Sequence, residues 1–232
     1  MTDSTPTAAA KRSSRKSARK QEAAPVSGGD MRDLVSQLKR ERILSAAVDL
    51  FYRQGYAHTT LDEVAKALGV TKPFIYQYYR SKNALLAEIC SRAILQAHAT
   101  ISRTLTQQGT AKQKLWTVMS DFTRTVLENQ AHAVIYNREE KELEPEDRDR
   151  INRMRRDFDH RLVQLLEEGV ANKEFVIPDV RLAALAIGSI VGWAPVWFRS
   201  GGRLTKEEAA DGAASLVLTM VGCPPSATHP TA

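Results

Sequence analysis

Residues 60–83, TLDEVAKALGVTKPFIYQYYRSKN, constrain this chain more than any other stretch. They read as two short helices joined by a glycine turn, with a third helix starting directly after. Thr60-Leu61-Asp62-Glu63 has the form of a capping box: the Thr60 hydroxyl accepts from the Glu63 amide, and the Glu63 carboxylate reaches back to the cap's own amide. Leu61, Val64, Ala65 and Leu68 fall on one helical face, and Gly69 supplies the left-handed residue that ends it. A second helix is expected over 71–79, with Pro73 in its first turn, where a missing N–H costs little. Ile75 and Tyr79 then face inward, while Lys72, Phe74, Gln77 and Tyr78 face outward. Ala65, Gly69 and Ile75 have the size and spacing that a helix-turn-helix needs where its helices cross closely. An ordinary helical hairpin shares the same caps and apolar period. The outward face separates the two. It offers a lysine, an amide and aromatics, and no acid occurs between Thr71 and Asn83, as suits a surface that meets phosphates.

Charge follows the same division. The chain of 232 residues carries a net +6, and residues 38–83 hold eight basic against four acidic side chains, so the positive balance collects in the amino-terminal third. Residues 1–35 are rich in Ser, Thr, Ala, Lys and Arg with few large apolar side chains, and read as an unordered basic tail. The run Lys11, Arg12, Arg15, Lys16, Arg19 and Lys20 within it suits either a solubilising tail or an arm that grasps DNA. A DNA-reading domain is expected over 36–82, a second helical domain over 83–222, and a short unordered tail over 223–232.

The fold expected is all-α, with about nine helices. The first spans 36–54, with Ile43, Leu44, Ala47, Leu50 and Phe51 as its apolar stripe and Gly55 as its stop. Ser81 caps a helix running towards residue 108. Helices follow over 111–130 and 132–143. The next, 148–168, carries Ile151, Met154, Phe158, Leu162 and Leu165 on one face and is ended by Gly169. An apolar helix covers 181–198, without charge from Leu182 onward, and Thr205 with Glu208 forms a capping box for a last helix to 221. No alternating strand and no repeat is present in the sequence.

Several classes of function are disfavoured. Cys90 and Cys223 belong to no paired motif, which suits a reducing cytoplasm. His58, His98, His132, His160 and His229 have no metal-ligand spacing, and Ser189 is wrongly placed for a nucleophile elbow, so neither metal, cofactor nor catalytic site is expected. The run 182–198 is short for a membrane span and is interrupted by Pro195, which favours a buried helix. A non-specific architectural DNA-binding protein would explain the basic tail but not the large second domain.

The series F51-Y52-R53-Q54-G55-Y56, T59-T60-L61-D62-E63-V64-A65, G69-V70-T71, I75-Y76-Q77-Y78-Y79 and S81-K82 resembles the TetR family of bacterial transcriptional regulators. That resemblance implies a homodimer of all-helical subunits, whose first three helices read a double-stranded DNA operator. The remaining helices would bind a small effector and the partner subunit. More specifically, W197-F198-R199-S200-G201-G202-R203-L204-T205, after E167-E168-G169, F175 and D179, resembles the branch of TetR regulators that respond to acyl-CoA thioesters. Ser200 stands where that branch often has proline. A repressor sensing drugs or aromatic compounds is the alternative.

On this reading the second helix of the motif enters the major groove, with Lys72 towards guanine and Gln77 towards adenine. Phe74 and Tyr78 would touch thymine methyls or sugars. By resemblance, Thr60, Tyr76, Tyr78 and Lys82 would hold phosphates. Arg40 and Arg42, near the start of the first helix, are further phosphate candidates, and Thr71 a further DNA contact. An effector cavity would draw its walls from Trp116, Phe122, Tyr136, Phe158, Trp193 and Trp197. Arg155, Arg156 and Arg199 are its candidate cations, guanidinium being suited to phosphate. The arginines of 148–161 equally suit a solvated face, because aspartates interleave with them. The dimer face is expected on helices 181–198 and 205–221, where Gly188 and Gly192 would permit close packing beside Leu216.

Overall fold

The computed structural model describes residues 28–222, and every regular element among them is helical. The basic run Lys11–Lys20 and the tail 223–232 lie outside the described residues. In order, the elements are α1 (Gly28–Gln54), α2 (Leu61–Leu68), α3 (Lys72–Tyr76), α4 (Lys82–Leu105), α5 (Ala111–Glu128) and α6 (Gln130–Glu139). A single 3₁₀ turn, Glu140–Glu142, leads to α7 (Pro145–Ala171), α8 (Val180–Gly192), α9 (Ala194–Trp197) and α10 (Lys206–Met220). The four-residue α9 continues α8 after a break at Trp193. Counted with it as one interrupted helix, the described residues hold the nine α-helices expected.

The departures from expectation have local causes. α1 begins eight residues before the expected start, at Gly28, because 30–37 contains no breaker and Asp30 suits the positive end of a helix. The apolar helix expected over 181–198 is not continuous. Pro195 lacks the N–H that would extend α8, and the ladder stops at Gly192. The 18-residue window Val180–Trp197 is apolar enough to cross a membrane, with 28% of it buried in the protomer. At 1.5 Å per residue, however, α8 is only about 20 Å long against a hydrocarbon core of about 30 Å. Gly169 does not end the helix of 148–168. It lies inside α7, where the Phe175 ring occupies the space a side chain would need.

Three capping boxes fix helix starts: Thr60 with Glu63, Thr110 with Gln113, and Thr205 with Glu208. Gly69 adopts φ 66°, as the turn after α2 requires. Two apolar cores result. One joins the buried faces of α1, α2 and α3 to the first turns of α4 through Phe51, Val64, Ile75, Leu85 and Ile89, with Ile135 and Ile151 closing it. The other joins α4, α5, α7, α8 and α10 through Ile101, Leu115, Leu162, Ile187 and Val217. Ile94 of α4 packs against both.

Candidate nucleic-acid interface and effector cavity

α3 is shorter than expected. Its regular part ends at Tyr76, and Gln77 and Tyr78 form a turn rather than a second helical turn. Ile75 and Tyr79 are buried as expected, and they seat α3 on the core behind it. Thr71, Lys72, Tyr76, Gln77 and Arg80 are exposed along the opposite side. The Thr71 hydroxyl makes no cap bond, so its donor and acceptor are free. Phe74 and Tyr78 are corrected from outward to half-buried. Their rings meet at 5.3 Å and pack against the core, because so short a helix cannot shield that core alone. They brace the reading surface more than they form it.

Several expected phosphate ligands are already engaged within the protein. Lys72 Nζ donates to Asp62 Oδ2 at 2.7 Å. The Thr60 hydroxyl serves the capping box with Glu63. Lys82 Nζ donates to the Tyr56 carbonyl at 2.8 Å and sits 4.1 Å from the Tyr56 ring centroid, which staples the α1–α2 loop to the start of α4. Arg40 pairs with Glu88 at 2.5 Å and lies 4.5 Å over the Tyr79 ring. Arg42, by contrast, is exposed and makes no hydrogen bond or ion pair among the described residues. An ammonium has three donors, so Lys72 and Lys82 can each add a phosphate or base contact to the one they make.

These ties carry the head onto α4. Arg92 bonds Glu41 at 2.5 Å and Glu88 at 3.2 Å, closing a chain Arg40–Glu88–Arg92–Glu41 between α1 and α4. Burial pushes the Glu88 carboxyl up, but hydrogen bonds from Arg40 and Arg92 outweigh it and hold the group below the usual carboxylate range. A second tie comes from α6. The buried Glu139 accepts from the Tyr56 amide at 3.3 Å and from Arg138 Nε at 2.8 Å, while Arg138 donates to the Phe51 carbonyl at the end of α1. Asn83 bridges to the Glu142 carbonyl at 2.6 Å.

Behind the head lies a cavity of about 450 Å³, walled by α4, α5, α6, α7 and α8. Its size falls within the range that takes small organic ligands. Phe122, Tyr136, Phe158 and Trp193 line it, as expected, together with Arg155. Sequence reasoning missed Cys90 and Ile94 of α4, Asn137 of α6, and Ile151 and Asp159 of α7. The last two could have been found, since 151, 155, 158 and 159 share one helical face. Arg155 donates to the Tyr136 hydroxyl at 2.5 Å, and burial pushes that hydroxyl up to about 12. Burial likewise pushes the Cys90 thiol up to about 12, so it stays protonated and inert.

Four expected wall residues lie elsewhere. Arg156 falls one residue, or about 100°, away from the cavity face of α7. Trp116 packs against the second core. The break at Trp193 carries Trp197 and Arg199 away from the lining. Much of the arginine run proves structural: Arg148 bonds the Leu143 carbonyl, Arg150 pairs with Asp147, and Arg161 with Asp157. Gly188 and Gly192, expected at a subunit crossing, line the cavity. No atom lies within 4 Å of where a β-carbon would stand on either. Leu185, which also lines the cavity, and Leu182 and Leu216, which do not, are each more than 60% exposed on α8 and α10.

The described residues thus join a helix-turn-helix head to a hollow helical body. Residues 43–89 match the sequence pattern of bacterial regulatory proteins of the tetR family, and residues 108–221 match the tetracyclin repressor-like C-terminal domain. The chain belongs to the TetR family. It is therefore a DNA-binding transcriptional regulator and not an enzyme. It is 27% identical over 161 residues to the fatty acid metabolism regulator protein of Bacillus subtilis, covering 68% of this chain and 83% of that one. The TetR-family regulator PfmR of Thermus thermophilus superposes with a TM-score of 0.71 at 30% identity, covering 80% of this chain and all of that one. AibR, solved in complex with isovaleryl coenzyme A and operator DNA, shares the fold at a TM-score of 0.66 and 23% identity, with 77% of this chain and 97% of that one covered.

Proposed function

We propose that this TetR-family protein is a repressor that binds an inverted-repeat operator as a homodimer and is released by an acyl-CoA thioester. The observation that carries the effector reading is the position of the cavity on α4. Cys90 and Ile94 line it, while Glu88 and Arg92, two residues back along the same helix, hold α1 and Arg40 beside Tyr79. Residues two apart on a helix point about 200° apart, so this segment carries the cavity on one side and the reading head on the other. A ligand that fits better when α4 is displaced would favour a conformer whose two reading helices are wrongly spaced for DNA.

The named role of the Bacillus subtilis relative supports a fatty-acyl effector, as does a fold shared with a protein that holds a coenzyme A thioester. Arg155 is the single cation on the lining, so the acyl portion would enter and the phosphates of the coenzyme would stay outside. The homodimer is supported by the bare apolar side chains of α8 and α10, which a second copy would cover. The runner-up, a sensor of aromatic compounds, draws on the four aromatic side chains around the cavity.

The deciding experiment is a gel shift on DNA upstream of the protein's own gene, with thermal-shift screening against free acids, their CoA thioesters and aromatic drugs. Release by thioesters alone supports the reading. Release by uncharged aromatics, undiminished in Arg155→Glu, favours the runner-up. Operator affinity that no ligand changes overturns both.

A further inference from the structure

Apart from Ser189 of α8, whose hydroxyl donates to the Leu185 carbonyl, the polar side chains of the cavity lie where α7 presents Arg155 and Asp159 four residues apart and α6 presents Tyr136 and Asn137. Arg155 is engaged with the Tyr136 hydroxyl. Asp159 is different. It accepts no hydrogen bond and makes no ion pair among the described residues, although eleven such pairs occur elsewhere, including Asp147 and Asp157 on the same helix. Arg155 acts on it only through space, and burial dominates, raising its carboxyl above the usual range for aspartate. Asn137 likewise has no hydrogen-bond partner among the described residues. Both residues are exposed, so the chamber presents one acceptor-only carboxylate and one amide, held by no other side chain among the described residues, where it meets solvent.

We propose that Asp159 is a specificity residue that admits the neutral, amide-bearing thioester arm of the ligand and turns away the corresponding free acid. This rests on the acyl-CoA reading above. The charge balance explains the choice. Arg155 and Asp159 together are neutral, so an uncharged acyl thioester leaves the lining in balance. A carboxylate of the same chain would bring a second negative charge beside Asp159, where the apolar wall of the cavity on one side leaves it only partly screened by solvent. The hydrogen-bonding inventory agrees. A pantetheine arm carries secondary amides, whose N–H groups suit the Asp159 carboxylate. Its carbonyls suit the Asn137 amide and the remaining guanidinium protons of Arg155. A carboxylate has no proton to offer Asp159. Catabolic enzymes activate acids as thioesters before degrading them, so a sensor built this way responds to the activated compound and ignores the free one.

The test measures dissociation constants of the full-length protein for straight-chain and aryl acids, each paired with its own CoA thioester, by calorimetry. Asp159→Asn keeps shape and removes the charge. Arg155→Gln removes the balancing cation. The expected result is a thioester-to-acid affinity ratio that falls by about tenfold or more in Asp159→Asn and rises in Arg155→Gln. Opposite movements cannot arise from a common loss of stability, and thermal melts of both variants are read alongside. If the parent prefers thioesters but Asp159→Asn keeps the same ratio, the role of Asp159 is overturned while the acyl-CoA reading stands. If the parent binds neither member of any pair, both fall.

Discussion

Lys72 Nζ and Asp62 Oδ2 lie 2.7 Å apart, which ties the first residue of the reading helix α3 to the helix before it. The pair is exposed, so it contributes little to stability. Its effect is expected on DNA binding instead. Asp62 occupies a lysine that would otherwise be free for any phosphate, and with Glu63 it sets negative charge at the start of α2. Asp62→Asn is expected to tighten binding to random DNA more than to the operator and to steepen the salt dependence by about one unit. Affinities for both DNAs between low and moderate salt check this. An unchanged ratio of specific to random affinity would show that the tie has no part in selectivity.

Gln77 and Lys82 should separate cleanly in the same assay. Gln77 is exposed in the turn after α3 and free of partners among the described residues, which fits a base reader. Gln77→Ala is expected to cost about 1–3 kcal/mol on the operator and to relax preference at one position per half-site. Lys82 holds the Tyr56 carbonyl and ring, so Lys82→Met should lose roughly 1.5–3 kcal/mol of folding stability as well as affinity for all sequences alike. A denaturant melt of Lys82→Met that matches the parent would mean that the staple contributes nothing.

The helix-turn-helix was legible because its determinants are local: the cap at Thr60, the turn at Gly69 and the buried Ile75 and Tyr79 act within a few residues of one another. What the sequence concealed was which outward-facing polar groups are already taken. Asp62 reaches Lys72 across a turn, but Glu88 reaches Arg40 and Glu139 reaches Tyr56 across 48 and 83 residues, and no spacing rule points to such partners. The cavity was legible only by helix face. Phe122, Tyr136, Phe158 and Arg155 do line the cavity, whereas Arg156, Trp197 and Arg199 were grouped with them by residue type alone. Trp116 failed because a large aromatic fills core as readily as it walls a pocket.

His132 gives the fold a pH dependence with a definite sign. Burial, aided by the charge of Arg92, lowers its pKa, so the folded protein keeps the imidazole neutral while the unfolded chain takes up a proton. The stabilising contribution is therefore complete above the unfolded pKa of about 6.5 and declines as pH falls below it. The depressed carboxylates Glu63, Glu88, Asp157 and Glu208 lose their contributions only at lower pH. Between about pH 7.5 and pH 5.5 the melting temperature should thus drop, and His132→Gln should flatten that slope. Parallel slopes in parent and variant would place the effect elsewhere.

Two glycines inside helices should respond to alanine with opposite sign. At Gly169 a β-carbon would stand 2.0 Å from Phe175 Cδ2, and Phe175 is itself buried, so neither can yield cheaply. Gly169→Ala is expected to cost about 1–3 kcal/mol despite the better helix propensity of alanine. Gly188 has nothing within 4 Å, so Gly188→Ala should gain roughly 0.5–1 kcal/mol in the protomer, while Gly188→Phe should fill the cavity and abolish the response to effector with operator binding retained. The two glycine readings, cavity and subunit crossing, make different demands here. A glycine kept for ligand room tolerates alanine and fails with phenylalanine. One kept for a close helix crossing between subunits fails already at alanine, with a rise in the dimer dissociation constant by sedimentation. Denaturant melts, sedimentation and gel shifts on the three variants therefore decide which demand Gly188 serves.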